Sequence, residues 1–266
     1  MCLVRSGANE VVLSSGLENW SRRQLDLQFN AFAQYKHMRV ISASSILVYR
    51  LDEDGNLDTY KTNDSSVNAE DFQLSVRQKI GLKAYPCLFC DATVGFCSQL
   101  NTRLERMYQH KIGFFSNVTA RVLMNGWNGF AVDFEPDEGI NWARLSDFLV
   151  ELSNVLRDLA QVVLYVWVGG RTLYTESVFS APNIVVWSMN TYVDTYNHFV
   201  DVAAQDLALV DNTTRLGFGL LQSNDVPEWD MINVVSWMRV AKVPMLNLWA
   251  SNISGFALKA LETFLL

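Results

Sequence analysis

Histidine is scarce: only His37, His110 and His198 occur in 266 residues, and no two are spaced like a zinc-binding pair. No metal is expected, and metal-dependent hydrolysis loses its usual ligands. Basic residues are also in deficit, 21 Lys and Arg against 28 Asp and Glu for a formal charge of −7, with no basic run or stripe interleaved with aromatics. A nucleic-acid backbone is therefore not an expected partner. The longest uninterrupted apolar run, Val162 to Val168, falls far short of the roughly 20 residues that cross a bilayer, so no membrane span is expected. There is no GxGxxG, no GxxxxGK[ST] and no GxSxG, which removes the usual phosphate cradles, the nucleotide cofactors they hold and the serine-nucleophile elbow. No cofactor is expected. What the chain does have is apolar substance: half of its residues are apolar and 18% charged, enough to bury a large core and too apolar for disorder.

Four cysteines are too few for a disulfide framework in a chain this long, although Cys87, Cys90 and Cys97 fall within eleven residues. Cys87 and Cys90 lie in an apolar run, where a separation of three sends them to opposite faces of a strand. Buried thiols are the expected state, with a Cys90–Cys97 loop disulfide as the alternative. Five Asn-x-Ser/Thr sequons, at Asn19, Asn63, Asn117, Asn212 and Asn252, exceed the about two or three expected by chance and favour a secretory route. The first residues show no basic segment followed by an apolar stretch. Either the chain is an incomplete or processed form, or the sequons are coincidence. The first is the expectation, with a secreted, endomembrane or lysosomal-lumen location.

Short β-branched or aromatic runs alternate with longer segments of helical spacing, the pattern of a parallel sheet covered by helices. Eight strands are predicted, at Glu10–Ser14, Val40–Tyr49, Leu82–Cys90, Gly129–Glu135, Val162–Val168, Ile184–Asn190, Arg215–Gln222 and Pro244–Trp249. Apolar residues at i, i+3, i+4 and i+7 predict helices over Arg22–Lys36, Ala69–Ile80, Asn141–Leu159, Thr195–Leu209 and Pro227–Val240. A doubly wound sheet would usually place a glycine-rich phosphate loop after its first strand, so a (β/α)8 TIM barrel is preferred. Without a linker, repeat or shift in composition, residues 1–266 read as a single domain.

Catalytic groups of such a barrel sit where strands end at the C-terminal face. In Asn128-Gly-Phe-Ala-Val-Asp-Phe-Glu-Pro136, period-two alternation sends Phe130, Val132 and Phe134 to one face and Ala131, Asp133 and Glu135 to the other. Both carboxylates then point into the barrel mouth, and Pro136 stops the strand. With Cβ atoms about 7 Å apart, one ionised carboxylate raises the other and holds it as an acid near neutral pH.

This run resembles the strand-four motif D-G-x-D-x-D-x-E of glycoside hydrolase family 18, the chitinases, chitobiases and their non-catalytic relatives. The resemblance implies that Glu135 protonates a glycosidic oxygen and that Asp133 orients the substrate's 2-acetamido group, itself the nucleophile in a substrate-assisted route. Asn128 and Ala131 stand where the family has its first two aspartates. The family's strand six ends in M-x-Y-D, and here the stretch is Trp187-Ser-Met189-Asn190-Thr191-Tyr192-Val193-Asp194, one residue longer. Either a bulge returns Tyr192 to the mouth or Asn190 takes over its polar contact; the first is preferred. Strand eight of the family ends in a Trp that floors the sugar site, and Met245-Leu-Asn-Leu-Trp249 ends likewise. The resemblance thus implies Glu135, Asp133 and Tyr192 as catalytic residues and Trp249, Met189, Asn190 and Trp167 as substrate contacts.

Other polar features read as ordinary surface. The turn Asp52 to Asn56 with Asp58 lacks full calcium-loop spacing. Glu151 and Asp158 lie on the polar side of a helix, and Asp225, Glu228 and Asp230 form an acidic loop that could also rim a cleft. Arg171 either donates to a glycan hydroxyl or pairs with Glu176. Lys83 sits at the wrong end of its strand for Schiff-base chemistry. Two function classes result, both with a glycan as partner. One is a glycosidase acting on β-linked N-acetylglucosamine through Glu135 and Asp133. The other is a chitinase-like lectin without turnover.

Overall fold

The computed structural model describes residues 9–16, 20–61, 67–92, 97–135, 139–169, 172–221, 230–250 and 253–266. Pro136, Gly170, Arg171, Gln222, Asp225, Pro227, Glu228 and the sequon asparagines 19, 63 and 252 lie outside these residues.

In chain order the strands are β1 Glu10–Ser15, β2 Ala43–Leu51, β3 Leu57–Thr59, β4 Lys83–Ala84, β5 Cys87–Asp91, β6 Gly129–Glu135, β7 Val163–Val168, β8 Ile184–Ser188, β9 Leu216–Leu221 and β10 Met245–Trp249. Eight of them close into a parallel barrel, in the order β1, β2, β5, β6, β7, β8, β9, β10 and back to β1. β3 pairs antiparallel outside β2, and the two-residue β4 opens the β5 segment. This is the expected (β/α)8 barrel. The strand foreseen as Leu82–Cys90 is split because Pro86 has no N–H to give to the ladder; its carbonyl still accepts from Ala131 N at 2.9 Å.

The helices are α1 Arg22–His37, α2 Ala69–Ser75, α3 Leu100–Gln109, α4 Lys111–Asn125, α5 Trp142–Val155, α6 Glu176–Ser180, α7 Tyr196–Leu207, α8 Met231–Ala241 and α9 Gly255–Leu265. α2 and α5 each run on through a wider turn, to Ile80 and Ala160. The apolar stripe foreseen over α5, Trp142, Leu145, Phe148, Leu149, Leu152 and Leu156, is buried from Leu145 on, and Trp142 is partly buried. Asn141 caps it, its side chain accepting from Arg144 N at 3.0 Å. α3 and α4, between β5 and β6, were not anticipated, although Leu100, Leu104 and Met107, then Phe114, Val118 and Val122, bury a face at helical spacing.

β6 shows how the sequence sorts its faces. Phe130, Val132 and Phe134 are fully buried, and burial of each such side chain stabilises by roughly 1.5–3 kcal/mol. Phe130 stacks on Tyr49 at 5.7 Å in the outer layer. There the Tyr49 hydroxyl donates to Glu70 at 2.6 Å, a carboxylate that also receives Arg121 at 2.6 Å and Asn125 at 2.7 Å.

Inside the barrel, Tyr85 donates to the buried Glu10 at 2.7 Å and Lys83 pairs with it at 3.3 Å. These groups sit at the start of the strands, so Lys83 serves the floor of the barrel, as its position in the sequence suggested. Above them aromatic rings pile up: Tyr85 on Tyr165 at 4.5 Å, Tyr165 on Trp187 at 4.6 Å, and Trp187 on Trp167 at 5.1 Å. Gly129 makes the room, since a Cβ there would lie 2.5 Å from the Tyr165 ring and 2.9 Å from Tyr85. On the other wall Ser14 donates to Asn247 at 2.6 Å.

Cys90 and Cys97 form a disulfide, and Cys87 is a free, buried thiol. The expectation of three buried thiols is corrected for two of them. Cys90 faces outward from β5, where its sulfur also accepts from Leu51 N.

Candidate active site

The C-terminal ends of β5 and β6 place three carboxylates side by side. Asp133 and Glu135 share the inward face of β6 with Ala131. Register pairs Glu135 with Asp91 and Asp133 with Phe89 on β5, and the ladder continues past them, Ala92 N donating to the Glu135 carbonyl at 3.1 Å. Asp91 and Asp133 are 6% and 5% exposed, while Glu135 is partly open to the mouth. Such burial removes water from the charged forms.

Burial, then the negative charges of Glu135 and Asp91, hold the Asp133 carboxyl well above the usual carboxylate range. Glu135 is raised too, by burial and by Asp91. Beneath them, register sets Ala131 beside Cys87, whose thiol is pushed up by burial and by both β6 carboxylates. Asp133 Oδ1 has no hydrogen-bond partner among the described residues, nor has the buried hydroxyl of Tyr174. That hydroxyl, beyond β7, is raised by burial and by the charge of Asp133, so it lies in the same field. Protons are therefore retained here at a pH where exposed carboxylates have lost them, which suits an acid catalyst.

The spacing of the strand-six motif is resolved by a turn. Tyr192 N donates to the Met189 carbonyl at 3.1 Å, and Thr191 Oγ1 donates to the Gly219 carbonyl at 2.8 Å. The extra residue is absorbed there, and Tyr192 folds back over the barrel: its ring lies against Gly219 and 6.4 Å from that of Trp167. Asn190 goes the other way, its amide donating to Asp206 of α7 at 2.9 Å. Ser188 donates to the same carboxylate at 2.5 Å. Burial raises Asp206, and these two hydrogen bonds oppose the rise.

Alternation puts Met245, Asn247 and Trp249 on the inward face of β10, as the contacts of Met245 with Trp187 and of Asn247 with Ser14 require. Trp249, the last residue, is partly exposed. Met189 follows β8 at the inward position after Trp187 and packs beside Gly169. Trp167 is 1% exposed; it lies one layer down, under Tyr192, and offers no free ring face. Of the seven residues named from sequence, Asp133, Glu135, Tyr192, Met189 and Trp249 thus gather at the mouth, Trp167 supports from below, and Asn190 faces α7. Sequence reasoning missed Asp91 and Tyr174. Asp91 ends an apolar strand just as Glu135 does, but the foreseen strand stopped at Cys90.

A surface groove of about 330 Å³ between α1 and α2, lined by Arg22, Phe29, Phe72 and Lys79 among others, is remote from these groups. Among the described residues no cluster of His, Cys, Asp and Glu could hold a metal ion, and no helix is long and apolar enough to cross a membrane.

A parallel barrel with acid groups at the end of its fourth barrel strand has the architecture of the chitinases, and solved structures bear this out at the level of fold. A chitinase from Chromobacterium violaceum matches with a TM-score of 0.74 at 12% identity, over 96% of this chain and 99% of that one. A class V chitinase from Pseudomonas fluorescens matches with a TM-score of 0.74 at 13% identity, over 96% and 99%. A variant of a family 18 chitinase from Cycas revoluta, solved with (GlcNAc)4, matches with a TM-score of 0.68 at 11% identity, over 96% and 99%. At this identity the shared property is the fold, a (β/α)8 barrel. No family model and no curated protein sequence matches the chain.

Proposed function

We propose that the chain is a glycoside hydrolase acting on β-linked N-acetylglucosamine-containing glycans by substrate-assisted acid catalysis, with residues 1–266 as one catalytic domain. The observation that carries this reading is the pairing, on one inward strand face, of a buried Asp133 with a partly open Glu135, both held toward their protonated forms. Glu135 gives its proton to the glycosidic oxygen as the bond from that oxygen to C1 breaks. The 2-acetamido carbonyl oxygen closes onto C1 from the opposite face to form a ring, and a carboxyl oxygen of Asp133 accepts from the amide N–H and so holds the acetamido group in line. Water then opens that ring, its proton returning to Glu135. Tyr192 would steady the acetamido oxygen. Trp249 would floor the sugar with its ring face, with Met189 beside it. Solved neighbours with (GlcNAc)4 and with allosamidin bound support a glycan as the partner.

The second reading, sugar binding without turnover, is favoured by one observation: Ala131 leaves no carboxylate beneath Asp133, and its register partner on β5 is Cys87. Release of a fluorophore from N-acetylglucosamine, chitobiose and chitotriose β-glycosides at pH 4 to 7 separates the two. Turnover lost in Glu135→Gln, by about 10²-fold or more, establishes the hydrolase. Saturable quenching of tryptophan fluorescence without turnover moves the protein to the lectins.

A secretory or lumenal location fits two features, the Cys90–Cys97 disulfide and the exposed sequon at Asn212. Asn117, by contrast, sits within α4, and its sequon threonine, Thr119, is buried.

A further inference from the structure

We propose that Asp91 is a positioning residue of this site: on the strand next to Glu135, it supplies the neighbouring carboxylate that keeps Glu135 in its acid form. This rests on the reading of Glu135 as the acid. The geometry carries it. Asp91 and Glu135 are register partners on adjacent parallel strands, which lie about 4.8 Å apart, whereas Asp133 stands two residues down the same strand, about 7 Å away. Asp91 is thus the nearer carboxylate. It is buried beside the mouth, on the inward face that Cys87 and Phe89 continue. The family motif would place its further carboxylate at 131, under Asp133; here Ala131 supplies none, and the third carboxylate comes from the neighbouring strand.

Among the described residues, the titratable side chains coupled to this cluster are Asp91 and Cys87 on β5 and Asp133 on β6, with Tyr174, beyond β7, coupled to Asp133. The Tyr174 hydroxyl and Asp133 Oδ1 are both buried and without a hydrogen-bond partner among the described residues. The direction of the effect follows from sign alone. A negative charge beside a carboxyl disfavours its ionisation, so removing that charge lets Glu135 release its proton at lower pH.

Asp91→Asn keeps shape and removes charge. The test follows the ¹³C carboxyl titration of Glu135, assigned by its loss in Glu135→Gln, in the wild type and in Asp91→Asn, together with the pH profile of kcat/KM on the fluorogenic glycosides. The expected result is a Glu135 titration moved to lower pH and a rate loss that grows as pH rises, through the alkaline limb. A titration that does not move overturns the proposal, and so does a rate loss equal at every pH, which would mark Asp91 as merely structural. If the wild type shows no turnover, the hydrolase reading fails, yet a moved titration still supports the coupling of Asp91 to Glu135. Asp91→Ser, smaller and also uncharged, provides the same comparison should Asp91→Asn not fold.

Discussion

Gly219→Ala is the most direct probe of where Tyr192 lies. The backbone at Gly219 is not in the left-handed region, so alanine suits the strand. In open space it would stabilise by about 0.4–1 kcal/mol through the unfolded chain. Space is what the structure denies. A Cβ at 219 would sit 2.7 Å from Tyr192 Cε1, 2.8 Å from the Ser188 carbonyl oxygen and 2.9 Å from the Trp167 ring. The carbonyl is backbone and Trp167 is locked in the core, so Tyr192 is the group that yields. Overpacking of this kind costs about 1–3 kcal/mol. For a chain of this size that is a fall in melting temperature of roughly 3–10 °C. Thermal unfolding followed by near-ultraviolet circular dichroism measures it. A double-mutant cycle with Tyr192→Ala should recover part of the loss, because one of the three collisions disappears. A Gly219→Ala protein as stable as the wild type, or more stable, would refute the placement of Tyr192 over the barrel.

Two further outcomes concern stability. The Asp133 carboxyl is raised in the fold, so its ionisation opposes folding: the contribution of Asp133 to stability is fully present below the pKa of an unfolded aspartate and is lost as pH rises through the folded value. Asp133→Asn should therefore melt above the wild type at pH 8, with the gap narrowing toward pH 4; a constant gap would deny the shift. Cys90→Ser with Cys97→Ser opens a loop of sequence separation 7 and should cost about 2–3 kcal/mol in denaturant unfolding, whereas no change would mean that the bond does not form in solution.

The barrel was legible because each strand carries its own alternation. Phe130, Val132 and Phe134 against Ala131, Asp133 and Glu135 announce two faces without any tertiary information, and the end of the strand marks the mouth. What local pattern cannot convey is register. Asp91 beside Glu135, and Ala131 beside Cys87, are facts about two strands some 44 positions apart, which only sheet closure fixes. The Asn190 and Tyr192 alternatives turned on a tight turn and on an acceptor, Asp206, that comes from α7. Trp167 stands next to the last residue of its strand and Trp249 is the last of its own, yet Trp187 and Tyr192 enclose Trp167; nearness to a strand end alone does not distinguish a wall from a floor. Cysteine spacing allowed both thiols and a disulfide, and the fold decides between them by bringing the Cys90 and Cys97 Cα atoms to 5.2 Å.

The pile of rings inside the barrel has a consequence for descent. Gly129 is empty where Tyr85 and Tyr165 are full, and Gly219 where Tyr192 and Trp167 are. A larger residue at either glycine collides, and a smaller ring opposite leaves a hole worth several kcal/mol. Neither partner can drift alone. Such positions are expected to pass through a lineage as linked blocks, changing together or not at all.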